Sequence, residues 1–222
     1  ANPVEMGMED VETAMERVRR IPGYKVYFDR AFGGENSMTV DNAAKAVAAF
    51  ERTLITPNSA YDKYVKGDKT AMNEQQVRGM DKFASSGCTS CHSGAAFNGP
   101  QMKLGEGFFT KFPTFDDSEY VTRYKLADDK GRQEVTGDSA DANMFRTPTL
   151  RNITDTAPYF NNGSVNDLAE AVRVMAKTQL NKDLPDADVQ DIVAFLGALT
   201  GEYPEITMPR LPATSGTSIV AD

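Results

Sequence analysis

The sequence predicts a mainly α-helical protein that carries one long irregular insertion and an N-terminal helical extension. Apolar residues recur at helical spacing in several separate segments, whereas residues 93–145 show neither helical nor strand periodicity. The chain has 222 residues, of which 40% are hydrophobic and 25% charged, so it can bury a core without disulfide bonds. We expect an extension over residues 1–66, a compact helical domain over 67–203 and an extended tail over 204–222.

Three helices are predicted in the extension. The first covers residues 8–20 and ends before a proline–glycine pair, and a short second helix follows over 24–32. Thr39 or Asp41 can cap the third helix. Its apolar residues fall on one helical face that we expect to point inward: Ala43, Val47, Phe50 and Leu54.

The domain is predicted to begin with a helix capped by Asn73 and to end with two more helices. We expect Ser164 to cap the helix that carries Met175, and Asp186 to cap the last one. The irregular stretch 93–145 lies between them, and a loop this long in a compact domain is usually functional. Its phenylalanines are expected to pack against a large apolar surface: Phe108, Phe109, Phe112 and Phe115.

Composition excludes several classes of protein. The 24 basic and 32 acidic residues give a net charge of −8, which argues against nucleic-acid binding. No apolar run approaches the length of a membrane span. The chain opens at Ala1 without an initiator methionine or a leader sequence, so we expect an export signal to have been removed.

Residues 88–92 read Cys-Thr-Ser-Cys-His, which is the attachment pattern of a c-type haem. In that chemistry the two thiols add to the haem vinyl groups, and the adjacent histidine becomes the proximal iron ligand. A structural zinc site would need a second ligand pair, and the sequence has only two cysteines and one histidine. A thioredoxin-type dithiol would need a βαβ setting, which this helical sequence lacks. We therefore expect a c-type cytochrome fold with one haem covalently bound at Cys88 and Cys91, and His92 on the iron.

Spacing alone leaves the second axial position of the iron open. With a single histidine in the chain, the partner of His92 is methionine, water or lysine. Methionine is common in cytochromes c because its soft thioether favours ferrous iron. Among the ten methionines, Met102 lies ten residues past His92, and Met175 lies on the apolar face of a predicted helix. The simplest alternative for Met175 is an ordinary core position.

Residues 146–163 read RTPTLRNITDTAPYFNNG. Together with the haem motif, residues 2–7, residues 49–54 and the Leu-Thr-Gly at 199–201, this stretch closely resembles the bacterial dihaem cytochrome c peroxidases. The resemblance covers roughly residues 1–203. It implies a family with two haem domains, in which the N-terminal haem reduces peroxide and a C-terminal His/Met haem accepts electrons. The chain looks like the second domain together with the helices that lead into it.

The resemblance also implies particular site residues. In the family the distal methionine lies on the helix after the Pro-Tyr-Phe segment, a position that Met175 holds here. The family binds calcium between its domains, partly through backbone carbonyls that correspond to those of Thr156 and Pro158. Because the remaining ligand would come from the missing domain, we expect a weak or empty calcium site. We expect Arg146 and Arg151 to face the haem propionates, with an exposed surface position as the alternative for both.

The expected function is one-electron transfer, with a small cytochrome c or a cupredoxin as redox partner. The alternative is peroxide reduction, as part of a larger dihaem enzyme or with a partner haem chain. A haem sensor is a third class.

The family usually has histidine after Pro-Tyr-Phe, where this chain has Asn161, so the role of that histidine does not carry over. A missing peroxidatic domain or a second copy of the chain is a further expected partner. Since c-type haem is attached outside the cytoplasm, we expect a periplasmic protein.

Overall fold

The computed structural model describes residue 7, residues 10–103 and residues 105–213, and divides the chain into two compact units. The larger unit is residues 56–203, and the smaller one comprises the described parts of 1–55 and 204–222. Nine α-helices and one two-stranded sheet make up the regular structure of the described residues, so the mainly α prediction is confirmed. The first residues of the predicted extension and the part of the predicted tail after residue 213 lie outside the described part.

The smaller unit contains helices α1 (Val11–Arg19), α2 (Pro22–Phe32) and α3 (Val40–Glu51). Thr39 caps α3, because its side chain accepts a hydrogen bond from the backbone N–H of Asn42. The tail returns to this unit as extended chain, where Pro212 packs on Gly23 and the hydroxyl of Tyr27 donates to the carbonyl of Arg210.

The inward orientation predicted for the apolar face of α3 is wrong. Val47 is 58% exposed and Phe50 is 47% exposed, and Leu54 beyond the helix is similarly open. Helical periodicity identifies an apolar face, but it does not say whether the same unit supplies the surface that covers it.

The larger unit begins with α4 (Ala60–Val65) and α5 (Glu74–Ser86) and ends with α8 (Leu168–Leu180) and α9 (Asp186–Gly197). Helix α4 belongs here, rather than with the extension, because Tyr61 donates its backbone N–H to Ala198 and packs against the core beside Phe195. The unit boundary therefore falls between residues 55 and 56.

Helices α5 and α9 cross in close contact at a glycine. A Cβ atom on Gly79 would lie 1.8 Å from the carbonyl oxygen of Asp191, so only glycine allows the two backbones to approach this closely. The main core forms around this crossing and includes Phe83, Ile192, Phe195, Leu196 and Leu199. Asn73 caps α5 in a reciprocal capping box with Gln76, as the sequence predicts for the start of this helix.

The long insertion contains short elements that its sequence did not reveal. Strand β1 (Phe109–Lys111) pairs antiparallel with β2 (Met144–Arg146), and two short helices lie between them, α6 (Glu119–Arg123) and α7 (Gln133–Thr136). Elements of three to five residues are too short to show a hydrophobic period. Among the four phenylalanines, Phe112 is buried, whereas Phe115 is exposed.

The two C-terminal helices begin differently from the prediction. Asp167, and not Ser164, caps α8 by accepting a hydrogen bond from the backbone N–H of Glu170. The helix cannot begin earlier, because Val165 is held extended in a bridge to Tyr159. At α9, Asp186 is the first helical residue, and the preceding proline occupies the cap position without a side-chain hydrogen bond.

Within the described residues, each helix is too short or too polar to cross a lipid bilayer.

Candidate haem site

A largely apolar cavity of about 460 Å³ lies within the larger unit. Its volume falls in the range of protein sites that hold small molecules and cofactors. The walls come from the end of α5, the segment that follows it, both strands, and the inner faces of α8 and α9. Large apolar side chains from these elements line it, including Phe83, Phe112, Phe145, Phe160, Leu168 and Leu196.

The end of α5 delivers the two thiols and the imidazole to this cavity. Gly87 terminates the helix with a φ of 100°, a left-handed conformation that favours glycine. A tight 3-10 turn, Cys88–Ser90, follows, and the backbone N–H of His92 donates to the carbonyl of Cys88 at 2.9 Å. As a result Cys88, Cys91 and His92 all lie on the cavity wall. Burial raises the pKa of the Cys88 thiol to about 11, so the sulfur is protonated at neutral pH.

The imidazole of His92 is held in one tautomer by a backbone group. Its Nδ1 atom lies 3.0 Å from the carbonyl oxygen of Phe97. Because a carbonyl can only accept, Nδ1 carries the proton, and Nε2 keeps its lone pair for a metal. Burial lowers the pKa of His92, against the opposing effect of the hydrogen bond to Phe97. A neutral imidazole fixed through its other nitrogen is the usual state of a metal-binding histidine.

Met175 is the one methionine among the described residues that lines the cavity. It packs with the group of apolar side chains around Phe112 and Val174, whereas Cys88 packs with the core around Phe83. Met102, the alternative ligand by spacing, is 41% exposed and lies on a separate glycine-rich depression.

Arg146 carries the one formal charge at the cavity among the described lining residues. No described carboxylate lines the same walls, and no described residue forms an ion pair or hydrogen bond with its guanidinium. Arg146 also lines the depression that carries Met102, where Glu106 lies. The aliphatic part of the side chain packs against Gly107, whose added Cβ would lie 3.1 Å from the Arg146 Cδ atom. An apolar cavity with a lone cation on its wall suits a large apolar ligand with an anionic end.

Arg151 does not line this cavity. Its guanidinium forms a two-pronged ion pair with the carboxylate of Asp62, at 2.8 and 2.9 Å, and also donates to the hydroxyl of Ser59. It also lies over the rings of Tyr61 and Phe97. This placement ties α4 to the segment after the insertion, and it gives no support to the expected propionate contact.

Thr156 and Pro158 both lie on the cavity wall. Their carbonyl oxygens accept no hydrogen bond from any described residue. No group of three or more histidine, cysteine, aspartate or glutamate side chains suited to a metal occurs in the described part of the chain. Calcium binding through the two carbonyls stays a prediction.

Some residues of the site escaped the sequence analysis. The carbonyl of Phe97 acts through the backbone, which no side-chain pattern can reveal. Thr110 and Thr147 line the cavity with their hydroxyls 3.2 Å apart, and common threonines in an irregular stretch give no signal. Asn161, which was named from the sequence because the family usually has histidine there, also lines the cavity and donates to the carboxylate of Asp129 at 2.5 Å.

The donor set fits a c-type haem. The cavity offers two adjacent thiols, one neutral imidazole, a thioether, apolar walls and a cation. The thiols match the vinyl groups of haem, and the imidazole and thioether match its iron. The apolar walls match the macrocycle, and the cation matches the carboxylates.

Comparison with known proteins agrees with this chemistry. A family profile described as “Di-haem cytochrome c peroxidase” matches residues 1–70. The chain is 40% identical over 215 residues to cytochrome c551 peroxidase of Nitrosomonas europaea, covering 97% of this chain and 60% of the relative. It is also 40% identical over 199 residues to cytochrome c551 peroxidase of Pseudomonas aeruginosa, covering 89% of this chain and 55% of the relative. The chain resembles the dihaem cytochrome c peroxidases over most of its length.

The chain spans 60% and 55% of the lengths of these two relatives. Among solved structures, a MauG-like protein associated with microbial copper homeostasis is 28% identical, with a TM-score of 0.71 over 91% of this chain and 66% of that one. The dihaem peroxidase BthA of Burkholderia thailandensis, at 20% identity and a TM-score of 0.55, shares the fold. The predicted fold of the dihaem peroxidase family is thereby confirmed.

Proposed function

We propose that residues 56–203 hold one haem, covalently bound at Cys88 and Cys91, and serve as a one-electron relay. The observation that carries the proposal is the convergence of both thiols, His92 and Met175 on one apolar cavity, whose described lining residues include no carboxylate. A haem bound there would supply an iron that gains and loses one electron at a time.

Each residue at the cavity has its own proposed role in holding the haem. Cys88 and Cys91 would hold the cofactor through thioethers, and His92 would offer Nε2 to the iron because its Nδ1–H donates to the carbonyl of Phe97. The thioether of Met175 would be the second protein ligand of the iron, and a soft thioether favours the reduced state. The apolar walls would keep water away from the iron. The groups around the iron would then move little when it gains or loses an electron.

Peroxide reduction within a larger dihaem enzyme is the second candidate. The names of the peroxidase relatives favour it, and those proteins are longer than this chain. Cleavage of peroxide calls for an open iron position and a nearby acid–base group. The described residues that line the cavity include no aspartate or glutamate, and the lone histidine, His92, is assigned to the iron. This chemistry favours electron transfer for the chain by itself, with peroxide reduced at a second haem.

The proposed partners are a small cytochrome c or a cupredoxin, together with a peroxidatic haem domain on the same or another chain. A calcium ion on the carbonyls of Thr156 and Pro158 is a further part of the proposal. Because thioether attachment of haem takes place outside the cytoplasm, the proposed location is the periplasm.

The test begins with production of the chain in a bacterium that matures c-type cytochromes. Acid–acetone extraction should leave the colour with the protein, and its mass should rise by one haem. A Cys88→Ala/Cys91→Ala variant should lose the colour on extraction. Stopped-flow mixing with peroxide and a reduced donor should then show negligible turnover by the unmodified chain. Extractable haem would contradict the attachment, and sustained donor oxidation would favour the enzyme instead.

A further inference from the structure

Two threonine hydroxyls meet on the cavity wall at the two-stranded sheet. Thr110 lies in β1 and Thr147 directly follows β2, and their Oγ1 atoms are 3.2 Å apart. Thr147 is only 6% exposed, and its backbone N–H donates to the carbonyl of Phe108 at 2.8 Å, which fixes its position. Both side chains line the same cavity as His92.

One of the two hydroxyl hydrogens of Thr110 and Thr147 has no acceptor among the described residues. Each hydroxyl carries one hydrogen, and the contact between Thr110 and Thr147 uses one of the two. Within the described residues, no other group lies within hydrogen-bonding distance of either hydroxyl. The second hydrogen is therefore free to meet an acceptor that belongs to the ligand.

The surroundings of the pair select the kind of acceptor. The described residues that line the cavity include no aspartate or glutamate, so no side-chain carboxylate there competes for the free hydrogen. A hydroxyl binds an anionic oxygen more strongly than a neutral one.

We propose that the Thr110–Thr147 pair anchors a carboxylate of the cofactor. This inference rests on the proposed function, and in a haem the carboxylate is a propionate. The two threonines are positioning residues: they hold one edge of the macrocycle and disperse the negative charge of the propionate. Negative charge near the iron favours the oxidised state, so donors that offset this charge raise the reduction potential.

The experiment compares the haem-loaded chain with a Thr110→Val/Thr147→Val variant. Valine keeps the shape of threonine but removes both hydroxyls. We expect the midpoint potential to shift downward and the propionate-bending band in the resonance Raman spectrum to move to lower frequency. The amount of covalent haem should stay unchanged.

A matched control is Thr178→Val. This buried threonine donates to the carbonyl of Val174 in α8 and does not line the cavity, so its loss should move neither signal. The Thr110→Ser/Thr147→Ser variant keeps both hydroxyls and should retain the potential and the band of the unmodified protein.

An unmoved band and potential in the haem-loaded double valine variant would overturn the anchor while leaving the proposed function intact. If that variant fails to fold, the single variants Thr110→Val and Thr147→Val are measured in the same way. Movement in either supports the anchor, and movement in neither overturns it. Absence of covalent haem from the unmodified chain overturns the proposed function as well, and the extraction shows this first.

Discussion

The Nδ1 atom of His92 lies 3.0 Å from the carbonyl oxygen of Phe97, and this hydrogen bond decides which nitrogen of the ring can bind a metal. Phe97 is itself buried among aromatic rings, with Tyr61, Phe83 and Phe195 within 5.2–6.3 Å between centroids. The acceptor is therefore fixed by the core, and the imidazole orientation depends on the same packing that closes α5 against α9.

This tautomer can be observed directly. With one histidine in the chain, ¹⁵N-histidine labelling gives signals from His92 alone. In the reduced haem-loaded protein we expect Nδ1 to carry a proton that exchanges slowly with water, because the site is buried. A rapidly exchanging Nδ1 proton, or a proton on Nε2, would contradict the assignment.

Removal of the proposed second axial ligand should change the spectrum of the haem. We expect Met175→Ala to abolish the sulfur-to-iron charge-transfer band and to lower the midpoint potential, since a thioether favours ferrous iron. Met102→Ala is the control, because Met102 lies outside the cavity. If Met102→Ala removes the band and Met175→Ala does not, the ligand assignment is reversed.

The ion pair of Asp62 with Arg151 should make stability depend on pH. Burial raises the pKa of Asp62, but the hydrogen bonds from Arg151 and Ser59 outweigh it and leave the pKa below its ordinary value of 3.8. The pair therefore stabilises the fold fully above that ordinary value, and the stabilisation is lost as pH falls through the lowered pKa.

We expect Asp62→Asn to lower the free energy of unfolding by about 1–3 kcal/mol at pH 7 and to make the loss on acidification shallower. Urea unfolding across pH measures both effects. Asp41→Asn removes an exposed carboxylate that pairs with Lys45, and should cost less than about 0.5 kcal/mol. Equal losses in the two variants would show that the Asp62 pair contributes no more than a surface contact.

Position 79, where α5 and α9 cross, should not tolerate a residue larger than glycine. At Gly79 a methyl group would meet the backbone of Asp191, which cannot move without separating the helices. We expect Gly79→Ala to lower the free energy of unfolding by at least about 2 kcal/mol. Gly197→Ala, in the same pair of helices, meets nothing within 4 Å and should raise it by up to about 1 kcal/mol. Thermal unfolding of both variants provides the comparison, and a tolerated Gly79→Ala would contradict the close crossing.

Sequence reasoning succeeded where the signal is local. The capping box at Asn73, the apolar stripe of α9 and the Cys-Thr-Ser-Cys-His pentapeptide each determine their structure within a few residues. It failed where the position of a side chain depends on a residue far away in the sequence. The outward face of α3 at Val47 depends on a surface that the described part of the smaller unit does not supply. Arg151 resembles a ligand-binding arginine in sequence, yet it pairs with Asp62, 89 positions earlier in the chain.

The segment that follows the left-handed Gly87 is shaped by contacts between residues close in the sequence, and this affects the order in which the protein matures. The backbone hydrogen bonds from Cys91 and His92 to the carbonyl of Cys88, and the bonds from Ser90 to that of Gly87, join residues at most four positions apart, and the bond between His92 and Phe97 spans five. The opposite wall, with Met175, comes from a helix some eighty residues later. Contacts of low sequence separation form before those that close long loops. A nascent chain can therefore offer both thiols in their final spacing while the far wall is still unfolded, and the cofactor then becomes a template on which the rest of the domain condenses.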